Sequence, residues 1–249
     1  MLLVFQRKND ERRTRAFTLV ELTVVVAITV VLASLLLPAL SGAREKSARA
    51  VCKNNMRMVL LGLRMYGDNY SDNLPSSADN YNYYHSIRLS DMVFTNFVND
   101  YLDRGAGVLY CPNIDYQGVT NHDKYGYLIG YSYLATAIIT TEKGPDYWVG
   151  ITKFDGKGTN ELLADANYWS SQSVGNTGFS LQMAPHTSMG PNLNQMSTAS
   201  RSAAAPPSSQ TLGARGGNIG RADMSVTWKS LENMGQYQAS SLGDAEGNW

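Results

Sequence analysis

Four sets of residues in this chain have types and spacings that could do chemistry. Glu21 is a lone acid in an apolar run, Phe17–Leu40. A carboxylate there is costly in lipid and is kept mostly where it finds a partner. Cys52 and Cys111 are the only cysteines. In a reducing compartment they are two free thiols; in an oxidising one they can pair, closing a loop of about 60 residues worth roughly 4 kcal/mol. Sequence leaves both states open. His85, His122 and His186 stand apart from one another, and none belongs to an H-E-x-x-H or Cys/His zinc spacing, so each reads as a surface or hydrogen-bonded histidine. Two groups of oxygen donors suit calcium: Asp68, Asn69, Asp72 and Asn73, and then Asp155, Asn160 and Glu161. Neither has EF-hand spacing, and such residues are ordinary turn formers, so turns are the first reading and calcium the weaker one. Catalytic patterns are missing. Gly130-Tyr131-Ser132-Tyr133-Leu134 lacks the second glycine of a nucleophile elbow, and no phosphate-cradling glycine loop occurs. The chain is therefore read as a non-enzyme without a cofactor.

The elements that must position these residues follow from composition and pattern. With 249 residues and 43% apolar content, a packed domain plus an appended segment is expected. The 21 basic and 21 acidic residues balance, which gives no reason to expect nucleic acid. The balance hides a basic leader, residues 1–16 with Arg7, Lys8, Arg12, Arg13 and Arg15, ahead of a mildly acidic body. Residues 17–40 follow with one charge, about 36 Å of helix, enough to cross a hydrocarbon core. A secretory signal peptide is the rival reading, because Leu40-Ser41-Gly42-Ala43 offers small residues, although the usual small-residue site is not present. Residues 41–73 read as an amphipathic continuation. Ala48, Val51, Cys52, Asn55, Val59, Leu60, Leu63 and Tyr66 recur at helical intervals, and Pro38 and Gly42 bend or loosen the helix without ending it. One helix of roughly 50 residues is predicted.

Residues 74–249 are expected to form the head. Val108–Cys111, Tyr125–Leu134, Tyr147–Ile151 and Leu162–Ala164 read as strands, and Ile219–Trp228 as a strand around a turn at Ala222-Asp223-Met224. The tyrosines Tyr81, Tyr83, Tyr84, Tyr131 and Tyr133 read as cross-strand packing, with a binding platform as the second reading. Residues 187–217, rich in Ser, Ala, Pro and Gly, read as a long surface loop, and the last dozen residues as a loose tail.

The segment Arg15-Ala16-Phe17-Thr18-Leu19-Val20-Glu21 resembles the start of type IV prepilins and type II secretion pseudopilins. Those proteins carry a short basic leader, a peptidase cut before Phe, and a glutamate fifth in the cut chain. Glu21 holds that place here, and Pro38 falls where many members have a helix-kinking proline. Ala16 departs from the family's usual glycine. The resemblance implies cleavage between Ala16 and Phe17, N-methylation of the new Phe17 amine, and pairing of Glu21 with a neighbour's amine during assembly. Residues 43–75 together with Cys111-Pro112 are similar to a bacterial pilin-like group with an Asp-Gly motif near the end. Asp223 matches the motif's acid, Met224 replaces its glycine, and His186, which the group places shortly before the motif, lies far upstream. The implied fold is α+β and pilin-like: a long N-terminal helix on a small antiparallel β-sheet head. The implied role is a structural filament subunit held in the inner membrane by a single pass, its head in the periplasm or in an extracellular filament. The implied partners are other pilin-like subunits, the prepilin peptidase and an inner-membrane assembly platform. Some major pseudopilins use calcium to fix a loop, which is the origin of the calcium reading above. The alternative is a membrane-anchored binding or adhesion domain on a pilin-type anchor.

Overall fold

The computed structural model describes residues 17–103, 105–114, 122–139, 148–154, 161–170, 179–187, 192–197, 209–240 and 245–249. The leader with Ala16, and the calcium candidates Asp155 and Asn160, lie outside the described residues. The chain divides into two compact units, residues 1–43 and 44–249.

Helix α1 (Leu19–Asn69) has 51 residues and runs through Pro38 and Gly42 without a break. It starts at Thr18 because that residue and Glu21 cap each other. The Glu21 backbone N–H donates to Thr18 Oγ1 at 3.2 Å, and the Thr18 N–H and hydroxyl donate to Glu21 Oε2 at 2.9 and 2.8 Å. This reciprocal box satisfies amides that the first helical turn otherwise leaves orphaned. In the first unit the leucines, valines and isoleucine from Leu19 to Leu40 are all exposed. The helix is long and apolar enough to cross a membrane. Its hydroxyls are closed on the helix itself: Thr23, Thr29 and Ser34 donate to the carbonyls of Val20, Val26 and Val31 at 2.9, 2.8 and 2.7 Å. A hydroxyl so bonded needs no water.

In the second unit α1 becomes one-faced. Cys52, Met56, Val59, Leu60 and Leu63 are fully buried at steps of three and four. Two positions depart from the predicted stripe. Val51 is 44% exposed, and Met56, absent from that stripe, is buried. Val51 is one residue, about 100° of helical turn, away from Cys52. A second helix, α2 (Asp91–Tyr101), was not predicted. Ser90 caps it by accepting from the Val93 N–H, and Phe94, Phe97 and Val98 are its buried face. It reaches α1 at Gly62, where an added Cβ would stand 2.8 Å from Leu102 and 3.2 Å from Phe97.

The strands are short. They are β1 (Arg88–Leu89), β2 (His122–Asp123), β3 (Gly126–Leu128), β4 (Tyr131–Tyr133), β5 (Ile138–Ile139), β6 (Trp148–Val149) and β7 (Glu161–Asp165). After them come β8 (Asn167–Ser170), β9 (Phe179–Ala184), β10 (Asn192–Ser197), β11 (Gly216–Arg221), β12 (Val226–Ser230), β13 (Gln236–Gln238) and β14 (Ala245–Asn248). Every strand pairing among them is antiparallel. A four-stranded sheet, β12-β11-β7-β4, lies under α1, and a five-stranded sheet runs β10-β9-β8-β14-β13. Alternation along the central sheet divides the core. Leu163, Tyr131 and Tyr133 join the α1 and α2 side chains, whereas Ala164 and Ile219 join a second cluster with Tyr168, Met183 and Trp249. Gly220 permits the close approach of helix and sheet: a Cβ there would lie 3.1 Å from Leu60 and from Met56. The layout is thus α+β, with one long N-terminal helix and small antiparallel sheets, as expected.

Three expectations are corrected. Val108–Cys111 is not a strand; a 3-10 turn, Ala106–Leu109, leads into Cys111. The expected loop 187–217 contains β10, which pairs with β9 from Asn192↔Ala184 to Ser197↔Phe179. The run Asn-Leu-Asn-Gln-Met-Ser gives no strand signal in sequence, yet its backbone makes this ladder. The expected tail holds β14, paired to both β8 and β13, and ends in Trp249, which is fully buried. Trp249 stacks on Tyr237 at 5.1 Å and meets Trp148 edge-on at 5.8 Å, so two aromatic partners order a segment whose composition is mostly polar.

Candidate functional site

Two sites emerge, one in each unit. The first is the start of α1. Phe17 is exposed, and Glu21 is satisfied within its own chain by Thr18. Pro38 lies within α1.

The second site is buried beneath α1 and was not foreseen as a site. Glu45, Arg49 and Cys52 fall at i, i+4 and i+7, so they share one side of the helix. Cys52 and Cys111 form a disulfide, with Cα atoms 5.2 Å apart, which decides between the two states left open by sequence. Glu45 is a hub. Its Oε1 accepts from Arg49 Nε at 2.8 Å and from His186 Nδ1 at 3.0 Å, and its Oε2 accepts from Asn113 Nδ2 at 2.9 Å. The Arg49 guanidinium lies 3.8 Å over the Trp228 ring, and the His186 ring meets the same tryptophan edge-on at 5.5 Å. With Glu45 on Nδ1, the other nitrogen of His186 faces Asp165 Oδ2 at 3.3 Å and Cys111 Sγ at 3.9 Å. Asp165 Oδ2 also accepts from the Asn218 backbone at 2.6 Å and from its side chain at 2.9 Å. Asp165 Oδ1 is buried without a hydrogen-bond partner. Cys52, Cys111, Asp165 and His186 are all fully buried.

The network joins five segments: α1, the turn after Cys111, the end of β7, the segment after β9, and β11 with β12. Glu45 pairs with Arg49 at the half-buried edge of the network, and at its fully buried end Asp165 is held by the Asn218 amides beside His186. Breaking one partner of such a set is costly, because the other is left uncompensated. The group serves as a clamp between α1 and the sheet.

The remaining candidates separate. His122 is exposed and faces Asp91 at 3.0 Å, while His85 is buried 3.6 Å from Asp79. Asp68 and Asp72 both face Arg64, at 2.7 and 3.2 Å. Asn69 donates to the Tyr101 hydroxyl and Asn73 to the Tyr70 carbonyl. Glu161 faces Lys229 at 3.5 Å and Arg221 at 3.9 Å. The described acids of both calcium groups are thus aimed at cationic side chains. Tyr131 and Tyr133 are core residues; the Tyr133 hydroxyl donates to the Pro75 carbonyl, and burial pushes its ionisation well above the ordinary phenol range. Tyr81 and Tyr83 are exposed on a loop held by Asp79 Oδ1, which accepts from both their backbone N–H groups.

Asp223 sits at the tip of the β11–β12 hairpin. Hydrogen bonds from the Ser225 side chain and backbone hold its carboxyl below the ordinary aspartate range. Met224 follows with φ of 67°, in the left-handed region that favours glycine. Set against protein-family models, curated proteins and solved structures, the chain matches none.

Proposed function

We propose that the chain is a structural subunit of a type IV pilus-like or type II secretion pseudopilus-like filament. The observation that carries this reading is the division of α1 between two surroundings. Its first part exposes a continuous apolar surface with the hydroxyls of Thr23, Thr29 and Ser34 closed internally. Its second part is bound to a folded head by the Cys52–Cys111 disulfide and the His186 network. A plain anchor needs only the first part. The disulfide agrees with a head outside the reducing cytosol.

In this reading a peptidase cuts before Phe17 and methylates the new amine, and a platform in the inner membrane moves subunits into the filament. Helices leaving lipid for one another gain little from hydrophobicity, so packing and polar pairing must give register. Glu21 supplies the polar term. Its capping bond with Thr18 means that a neighbour's amine has to compete with an intramolecular partner, or share Glu21 with it. Mass spectrometry of the native chain tests the reading directly: an N-methylated Phe17 at the N-terminus is expected, and an intact leader on assembled protein overturns it. Replacing Glu21 by Ala should leave membrane insertion intact and abolish filaments seen by electron microscopy.

The second reading, an anchored binding domain, draws on the loop that presents Tyr81 at 56% exposure. Under it the head would work without assembly, and Glu21→Ala would be silent.

A further inference from the structure

The clamp beneath α1 holds a donor set that no spacing in the sequence announces. The sulfurs of Cys52 and Cys111 and one nitrogen of His186 all lie within 4.8 Å of one another. Asp165 Oδ2 stands 3.3 Å from that nitrogen. We propose that the dithiol form of this chain binds one soft divalent cation of the zinc type through Cys52, Cys111 and His186, with Asp165 as fourth ligand. The site and the disulfide are mutually exclusive states of the same four residues. The proposal does not depend on the filament reading.

Geometry supports it first. Bonds of about 2.3 Å to sulfur and about 2.0–2.1 Å to nitrogen or oxygen place tetrahedral ligands roughly 3.3–3.8 Å apart. The His186–Asp165 separation of 3.3 Å falls at the short end of that range, and the His186–Cys111 separation of 3.9 Å lies just beyond its long end. The sulfurs must move from bonded to non-bonded contact, which the loss of the disulfide itself permits.

Chemistry supports it second. Glu45 accepts the hydrogen bond from His186 Nδ1–H, which in the neutral ring leaves the lone pair on the other nitrogen, the one beside Asp165 and Cys111. Carboxylate, imidazole and metal in that order form the arrangement that orients metal-bound histidines. Three electron-rich atoms then converge where a cation would satisfy all of them. Asp165 also keeps a buried oxygen, Oδ1, without a hydrogen-bond partner, so its charge is not fully used by the surrounding amides. Thiolate and imidazole ligands select a soft or borderline ion over calcium or magnesium.

The balance is simple. A newly made chain carries both cysteines as thiols, so binding needs no reductant; the ion displaces two thiol protons to solvent. Later closure of the disulfide passes two electrons to an exogenous protein disulfide, which becomes a dithiol with two protons from solvent, and the ion is released.

The test uses the full chain in detergent micelles, reduced anaerobically with a non-chelating phosphine and titrated with cobalt(II) alone. One equivalent should give tetrahedral visible bands and a thiolate-to-cobalt charge-transfer band, both erased by zinc(II). The oxidised chain should give neither. Glu45→Gln should keep the spectrum and weaken binding about 10- to 100-fold. His186→Ala should change the visible bands, with circular dichroism as the check on folding. If His186→Ala unfolds, Glu45→Gln carries the decision. A reduced wild-type chain without the charge-transfer band overturns the proposal. So does an affinity unchanged in Glu45→Gln, which would mark adventitious binding by two thiols.

Discussion

Leu32 and Leu60 belong to the same helix and meet opposite surroundings: Leu32 is 55% exposed and Leu60 fully buried. Around Leu32 the neighbouring apolar residues are exposed on every side of the helix, and the few polar groups are closed on the backbone. Around Leu60 the helix has a face. Met56 and Leu60 press on Gly220 of β11, Gly62 admits α2, and Cys52 is tied to the turn before Ile114. The contrast teaches that helix formation in α1 is common to both parts, whereas the source of stability is not. Local propensity and capping serve both; tertiary packing serves only the second.

The comparison can be broken most forcefully at the covalent tie. Cys52→Ser should cost the head about 4 kcal/mol, the chain-entropy value for a loop of this size. Urea unfolding of the full chain in detergent, followed by tryptophan fluorescence, reads it; a change near zero would mean that packing alone holds the helix. Next, Leu60→Ala should cost about 3 kcal/mol, while Leu32→Ala should leave the same transition unmoved. Equal effects at the two leucines would erase the distinction between the parts.

Smaller effects probe the hairpin that packs on the second part. Asp223 is held below its ordinary range by Ser225. A lowered carboxyl contributes stability above its unfolded value and loses it as pH falls through the folded one. The wild type should therefore lose thermal midpoint relative to Asp223→Asn at acid pH, below the ordinary aspartate range, and the two curves should run parallel at neutral pH. The smallest shift is expected for Met224→Gly. Relief of a left-handed non-glycine residue, about 1–2 kcal/mol, is offset by added chain entropy and by lost packing against the α1 cluster. A net change within about 0.5 kcal/mol in the same urea experiment is the expected outcome.

Much of α1 was legible because its cues are local. Cys52, Val59, Leu60 and Leu63 recur at helical intervals, whereas the capping box of Thr18 and Glu21, an equally local cue, went unread. The hairpin around Asp223 was legible for the same reason. Helix α2 was not, although Ser90 and the Phe94, Phe97, Val98 spacing carried its signal; Val, Phe and Thr in that stretch favour strands equally well. Strand β10 and the ordered C-terminal strand β14 depend on partners distant in sequence, with side chains that resemble a loop. The clamp was the least legible. Glu45, Cys111, Asp165, His186 and Asn218 are brought together by topology, and no local pattern links them.

The hydroxyls of Thr23, Thr29 and Ser34, each turned back on its own carbonyl, have one more consequence. A surface with its polar groups closed offers a neighbouring helix almost no address to read. Side-by-side association through it would accept any similarly smooth helix, so chains of different identity could mix along that surface. Discrimination between self and non-self would then fall to Glu21 at the start of the helix and to the head.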